Sequence, residues 1–157
     1  MPSTNYLRSN SATLNIHGLS DFNYQLTTYN IPGLSTNPAM INTPFGEMAF
    51  TGDTLRLEEL EVTFNVDETM SNWLAVYKWM FRNSPPDAFL DEENDEKYSD
   101  ATLIIYDPMD RPMINMTLYS CLPTSLSSIE FTEEDAETVY KKANASFKYQ
   151  YYDFENL

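Results

Sequence analysis

Alternation of apolar and polar residues is the dominant pattern in this chain, and such alternation is typical of β-strands. It first runs through residues 22–28 and stops at a turn over residues 30–33. The strongest run covers residues 55–66, but its apolar positions change from odd to even numbers across Glu58-Glu59. Because successive side chains point to opposite faces of a strand, this change predicts a bulge or a bend at Glu58-Glu59.

A different spacing follows Asp67-Glu68, where apolar residues recur about every 3.6 positions. This spacing predicts a short helix over residues 71–82, which the prolines after it would end. The face expected to pack on the sheet consists of Trp73, Val76, Tyr77, Met80 and Phe81. Trp79 projects about 240° from Trp73, onto the polar side of the helix. Either a partner contacts Trp79 or the loop of residues 85–90 covers it, and both explanations stay open at this point.

The second half of the chain predicts four more strands, at residues 103–106, 113–119, 129–131 and 139–154. Alternation within the last strand places its residues on two faces. One face holds Ala143, Ala145, Phe147, Tyr149 and Tyr151, and the other holds Tyr140, Lys142, Lys148 and Tyr152. Because tyrosine is enriched at interfaces, this strand is expected to meet another protein, although a monomeric β-sandwich would also accommodate these tyrosines.

Three segments lack a regular pattern. Residues 1–20 are rich in Ser, Asn and Thr and are predicted to be a flexible N-terminal arm. Residues 35–46 are expected to cross the surface as a long connection, and the acidic residues 87–100 are expected to form a solvated loop. Residues 21–157 are therefore predicted to be a single, mainly β domain with one short helix.

Composition and charge narrow the possible functions. The chain has 157 residues, of which 42% are hydrophobic and 14% aromatic, so it can bury a core without disulfides or metals. Its formal charge is -15, which repels phosphate and disfavours ordinary nucleic-acid binding. A single cysteine fits a reducing compartment, and the N-terminus lacks the apolar core of a signal peptide. We therefore expect a protein that is made in the cytoplasm and does not enter membranes.

Residues suited to catalysis or metal binding are scarce. His17 lies in the predicted arm without a paired motif and is interpreted as an exposed spectator, and Cys121 is interpreted as a buried, inert thiol. The acidic residues 91–96 could offer oxygen ligands to calcium, but they lack the glycine and the spacing of an EF-hand loop. The expectation is a protein that is not an enzyme and has no cofactor, metal site or catalytic residue.

The order of motifs resembles the tail-tube superfamily of contractile phages. The motifs are Asn30-Ile31-Pro32-Gly33, Gly52-Asp53, the strand from Leu57 to Phe64, Val66-Asp67-Glu68, Trp73 with Tyr77-Lys78-Trp79, and Leu122-Pro123-Thr124-Ser125 before a closing aromatic strand. Within the superfamily, the acidic junction before the helix looks most like the tail terminator, or tail completion protein. The resemblance covers residues 22–154.

This resemblance implies a tail-tube-like β-sandwich or barrel whose sheets join those of neighbouring subunits into a hexameric ring. The ring would end the tail tube at the neck, contact tube, sheath and neck proteins in the virion, and let genome DNA pass through an acidic lumen. The strands over residues 55–66 and 139–154 would build the ring. The interface residues expected on this basis are Trp79, Leu57, Val62, Phe64, Tyr140, Phe147, Tyr149, Tyr151 and Tyr152.

Two alternatives stay open. The main tail tube protein and the baseplate tube initiator belong to the same class as the terminator, because fold alone does not assign the role. A ligand-binding or carbohydrate-binding β-sandwich module, which would use exposed tyrosines, belongs to a different class.

Overall fold

The computed structural model describes residues 7–8, 10–19, 23–83, 98–133 and 140–156. Within these residues it contains eleven strands and one helix. They are β1 (Ala12–Ile16), β2 (Asn23–Tyr29), β3 (Leu34–Thr36), β4 (Ala39–Thr43), β5 (Gly46–Phe50), β6 (Leu55–Leu57), β7 (Leu60–Asn65), α1 (Ser71–Asn83), β8 (Ser99–Tyr106), β9 (Pro112–Leu126), β10 (Lys142–Lys148) and β11 (Tyr151–Asn156).

The main sheet closes on itself. Its strand order is β10-β7-β2-β1-β8-β9-β11, and β10 also pairs with β9. Six antiparallel strands therefore form a closed barrel, and β11 continues beyond it along β9. Closure removes exposed edges from these six strands, which leaves edges only outside the barrel. The prediction of a mainly β fold with one short helix is confirmed.

Alternate residues of the barrel strands fill its core. The buried side chains on β1, β7, β8 and β10 are Ala12, Leu14, Ile16, Leu60, Val62, Phe64, Ala101, Leu103, Ile105, Ala143, Ala145 and Phe147. Their neighbours along each strand are half-buried or exposed. This two-residue period is the physical source of the alternation seen in the sequence.

β1 lies inside the segment that was expected to be a flexible arm, so that prediction is wrong for residues 12–16. The strand pairs with β2 on one edge and β8 on the other, and Leu14 is completely buried. The sequence signal was weak because β1 has only five residues and polar residues surround it. Its order comes from hydrogen bonds and packing supplied by strands distant in sequence.

The predicted bend at Glu58-Glu59 is confirmed. β6 ends at Leu57 and β7 begins at Leu60, and between them the chain leaves the barrel. β6 pairs with β3, and β4 pairs with β5, so residues 34–57 form two short hairpin ladders that we call the hairpin arm. A long connection was predicted over residues 35–46, and this is wrong because β3 and β4 lie there. The sequence did not indicate these strands because the arm buries almost none of its side chains and so shows no alternating pattern.

The helix has nearly the predicted bounds, and its core-facing side is predicted in part: Val76 is buried and Trp73 and Met80 pack half-buried against the core, but Tyr77 and Phe81 do not. Asn72, Val76 and Trp79 are its buried residues, whereas Tyr77 and Phe81 are exposed. At about 100° per residue, positions 72, 76 and 79 lie within one narrow stripe, and Phe81 lies opposite it. Trp79 is only 3% exposed and packs against the ring of Phe147, with 6.2 Å between ring centroids.

Asn72 explains the position of the helix. Its side chain donates a hydrogen bond to the carbonyl of Asn65 at 2.8 Å and accepts one from the amide of Asp67 at 3.2 Å. It thus ties the first turn of α1 to the end of β7, and a buried amide so bonded is compatible with the core. A hydrophobicity pattern counts Asn72 as polar and therefore misplaces the core-facing stripe.

The structure also bears on the strand predicted at residues 129–131 and on the acidic loop predicted at residues 87–100. Residues 129–131 are not a strand, so that prediction is wrong. The acidic loop predicted over residues 87–100 lies outside the described residues up to residue 97, and β8 already begins at Ser99.

Candidate assembly surfaces

A free strand edge borders the barrel at β11. One edge of the long strand β9 pairs first with β11, through residues 114–119, and then with β10, through residues 122–126. β11 therefore continues in line with β10 after an interruption at residues 149–150, where the amide of Gln150 bonds the carbonyl of Tyr119 at 2.9 Å. The other edge of β11 has no partner strand within the described part of the chain.

Opposite this edge, β6 diverges from the barrel. β7 pairs with β10, but their continuations do not pair with each other, because β6 turns to β3 and β11 stays on β9. The main sheet therefore splits at residues 58–59 and 149–150. Two strand edges flank the split: among the described residues β11 pairs only with β9, and β6 pairs only with β3.

Two tyrosines hold the base of this split. The hydroxyl of Tyr149 donates to the carbonyl of Glu58 at 2.7 Å, and the hydroxyl of Tyr152 donates to the carbonyl of Pro32 at 2.8 Å. Their rings meet edge to face, with centroids 5.5 Å apart. Burial, followed by the nearby Tyr152 and Glu58, raises the pKa of Tyr149 to about 12. We call this pair the tyrosine clamp, since it joins β10 and β11 to the base of the hairpin arm.

The outward face of β9 and β11 is aromatic and acidic. Tyr119 and Tyr151 stack with their centroids 4.5 Å apart. Burial raises the pKa of Tyr119, and Tyr151, Asp153 and Glu155 raise it further. The carboxylates of Asp153 and Glu155 are close enough to act on Tyr119. We call the outward face of β9 and β11 the acidic face, and its negative charge repels anions.

The hairpin arm exposes apolar side chains on both of its ladders. Phe45 at its tip is fully exposed, and about half of the surface of six others is exposed, namely Leu34, Met40, Ile41, Met48, Phe50 and Leu55. Isolated exposed apolar residues are ordinary, but a cluster of this kind on one projecting element is typical of a protein interface.

The arrangement of barrel, arm and helix matches solved structures of contractile systems. A chain from the tube-terminating cap of the anti-feeding prophage matches with a TM-score of 0.71 and 11% identity, over 100% of this chain and 95% of that one. A chain from the sheath/tube terminator of an extracellular contractile injection system matches with a TM-score of 0.69 and 9% identity, over 97% and 98%. Hcp1 from Salmonella typhimurium matches with a TM-score of 0.61 and 10% identity, over 95% and 87%.

This chain has the tail-tube fold. The similarity extends over nearly the full length of each compared chain, so the fold prediction made from the sequence motifs is confirmed. No protein-family model matches the sequence, and no curated protein matches it.

The tail-tube fold buries four of the nine residues expected at an interface, and we correct the set accordingly. Trp79, Val62, Phe64 and Phe147 are core side chains. These four apolar side chains fill the hydrophobic core, so they do not reach a surface where another chain could contact them.

The other five expected interface residues reach the surface. Tyr140 and Tyr151 are exposed, Leu57 is half-buried at the base of the hairpin arm, and Tyr149 and Tyr152 form the clamp. Sequence reasoning missed the apolar residues of the arm. The signal that could have found them is Pro44-Phe45-Gly46 between two short runs containing Met and Ile or Phe.

The two residues considered for chemistry, His17 and Cys121, lie on either side of the start of β8 and differ in exposure. His17 is exposed in the turn after β1, as expected. Cys121 is fully buried, and burial together with Asp100 raises the pKa of its thiol to about 12, so the thiol stays protonated at neutral pH.

Neither a metal-binding cluster nor a membrane-spanning helix is found among the described residues. Among the described residues, no group of three or more His, Cys, Asp or Glu side chains could hold a metal ion, and the acidic residues 91–96 lie outside them. No helix in the described ranges is long and apolar enough to cross a membrane.

Proposed function

We propose that this protein is a non-enzymatic structural subunit that assembles into a ring at the end of the tube of a contractile tail. The observation that carries the proposal is the free edge of β11, which continues the barrel on a tail-tube fold and ends at a split that another chain can enter.

In the proposed ring, the β11 edge of one copy pairs with the β6 edge of the next. An exposed strand edge is normally covered, because its unpaired amides and carbonyls otherwise promote aggregation. Here the β11 edge and the β6 edge differ, so pairing between copies is head to tail and closes if the rotation per subunit divides a full turn. One similar structure, the baseplate of the anti-feeding prophage, is described as 6-fold symmetrised, which supports six copies.

The hairpin arm supplies a second contact in the ring. Its exposed Met48 and Phe50 would be covered by an adjacent copy, which removes apolar surface from water. The exposed Tyr140 and Tyr151 complete the surface that we assign to subunit contacts.

The position at a tube end rests on the degree of similarity. The terminating cap, the sheath/tube terminator and the baseplate match with TM-scores of 0.71, 0.69 and 0.70, whereas a sheath-tube complex and Hcp1 match with 0.61. We therefore favour the terminator, with tube, sheath and neck proteins as its partners in the virion. The similarity to a baseplate chain favours a tube initiator as the second candidate.

The acidic face would line the channel. Asp153 and Glu155 project from β11 beside Tyr151, on the side away from the barrel core. A lumen with these charges repels phosphate, so that genome DNA passes without binding.

The test is the mass and shape of the purified protein, from light scattering and negative-stain microscopy. Single closed rings support the terminator, and long hollow tubes would instead indicate the main tube protein. A strict monomer at high concentration would contradict ring formation and favour the carbohydrate-binding alternative, in which a sugar would raise the melting temperature.

A matched pair of variants identifies the contact. Met48→Lys combined with Phe50→Lys should abolish rings without lowering the melting temperature, because both side chains are exposed on the arm. Met109→Lys, at the exposed turn between β8 and β9, makes the same kind of change outside the arm; it is the control and should keep the rings. Rings that persist in the double variant would overturn the role assigned to the arm.

A further inference from the structure

The outer side of α1 carries a continuous aromatic ladder, formed by Trp73, Tyr77 and Phe81. The rings of Trp73 and Tyr77 are stacked, with centroids 5.6 Å apart and 10° between their planes. Those of Tyr77 and Phe81 are 5.8 Å apart and tilted by 35°. Residues four apart are neighbours on a helix, so the three rings cover two full turns.

Only the Trp73 end of this ladder packs against the core. The core beneath α1 is filled by Val76 and Trp79, while Tyr77 and Phe81 remain 44% and 40% exposed. The ring of Trp73 is held in place by a hydrogen bond, because its indole NH donates to the carbonyl of Ser127 at 3.1 Å. The exposed rings of Tyr77 and Phe81 are not part of the core, and exposed aromatic surface of this kind is typical of the centre of a binding surface.

A basic stripe runs beside the aromatic ladder. Lys78 and Arg82 each follow a ladder residue, and neither forms an ion pair with another described residue. Both line an open cleft of about 320 Å³, together with Leu74 and the hydroxyl-bearing Thr69 and Ser71. Two neighbouring cations without an acidic partner among the described residues favour an acidic ligand, although the net charge of the chain is -15.

We propose that this face of α1 docks an acidic amphipathic segment of another tail protein. An apolar stripe of the partner would lie on the aromatic ladder, and its Asp or Glu side chains would pair with Lys78 and Arg82. This is the helix-in-groove mode of peptide recognition. The inference rests on the proposed function only in taking the partner from the same tail assembly.

Charge argues against the same face of a second copy. Two copies of α1 facing each other would bring Lys78 and Arg82 of one against those of the other, and like charges at an interface cost binding energy. In a ring built through β11 and the hairpin arm, α1 remains available to a different protein.

The probe is a fluorescein-labelled helical peptide of about 18 residues, or five turns, with a leucine stripe flanked by glutamates. A second peptide has lysine in place of every glutamate. Fluorescence anisotropy should show binding of the acidic peptide at least roughly tenfold tighter than binding of the basic one. Raising the salt concentration from about 0.05 M to about 0.5 M should weaken it, since screening acts on exposed charges.

Variants separate this surface from ring formation. Lys78→Glu with Arg82→Glu should weaken binding of the acidic peptide by roughly tenfold, and Tyr77→Ser with Phe81→Ser should weaken both peptides. The control, Arg8→Glu with Lys142→Glu, makes the same charge change at two exposed sites outside α1, before β1 and on β10, and should bind normally.

Light scattering on the same samples reports on the ring. Equal binding of the two peptides, or equal effects of the charge variant and its control, would overturn the proposal. Loss of rings in the Lys78→Glu, Arg82→Glu variant would also overturn it, by making a second copy the occupant. Absence of rings in the unaltered protein would contradict the proposed function alone.

Discussion

Trp79 shows at the scale of a single residue how strongly burial sets the cost of a change. We expect Trp79→Ala to lower the free energy of unfolding by about 3–5 kcal/mol, because it removes a large side chain packed on Phe147 in the core. Phe81→Ala, on the opposite side of α1, should cost less than about 1 kcal/mol. Urea denaturation of both variants measures the difference, and equal costs would contradict the observed orientation of the helix.

The tyrosine clamp allows a second test at this scale. Tyr149→Phe and Tyr152→Phe each remove a hydroxyl that bonds a backbone carbonyl, so each should destabilise the protein by about 1 kcal/mol. Tyr140→Phe alters an exposed ring and serves as the control, with no expected change. Thermal melts of the three variants are sufficient for the comparison.

The clamp also predicts a dependence on pH. The folded protein holds the proton of Tyr149 to about pH 12, whereas the unfolded chain releases it near the ordinary value of 10. Between these values the folded state binds more protons, so this stabilisation is complete below about pH 10 and is lost as the pH rises towards 12. Absorbance titration of phenolate should show one tyrosine fewer titrating late in Tyr149→Phe than in the unaltered protein, since the pKa values of Tyr119 and Tyr29 are also raised. An unchanged titration curve would contradict the assignment.

At the scale of elements, Gly52 controls the hairpin arm. A Cβ atom there would overlap the backbone carbonyl of Asn37, which cannot move without separating the ladders of the arm. Gly52→Ala should therefore reduce ring assembly, measured by light scattering, while the barrel keeps its melting temperature. Gly33→Ala is the matched control, because its Cβ would meet only the flexible carboxylate of Glu58. Equal assembly in both variants would show that the shape of the arm is not needed.

At the scale of the whole molecule, charge opposes assembly. Each subunit carries a formal charge of -15, so copies repel one another over a distance that salt shortens. Ring assembly should therefore increase as the salt concentration rises from about 0.02 M to about 0.5 M. Light scattering over this range checks the expectation, and rings that dissociate in high salt would instead show that ion pairs hold the subunits together.

Most barrel elements were predictable because each buries one face. β7 and β10 repeat apolar residues at every second position, and the sheet bends at the residues where that parity changes. β1 was missed because five residues between polar neighbours give little signal. The hairpin arm was missed because its side chains stay exposed and so do not alternate.

The candidate surfaces were less predictable than the fold. The sequence singled out the tyrosines of the last strand, but it also assigned Val62, Phe64 and Phe147 to an interface although they fill the core. An apolar residue at a buried face and one at a binding face give the same local pattern. Only their position relative to distant strands distinguishes them.

The sequence by itself determined the fold class, the bounds of the helix, the break at Glu58-Glu59 and the acidic character of the protein, because these depend on local periodicity and on counting charges. Tertiary structure alone decided barrel closure, the orientation of α1 and the free edge of β11. These depend on hydrogen bonds and packing between segments far apart in the chain, such as those that join Tyr149 to Glu58 and Asn72 to Asn65. Local patterns show which residues are apolar enough to be buried, but only the packing of distant strands determines which of them are buried in the folded protein.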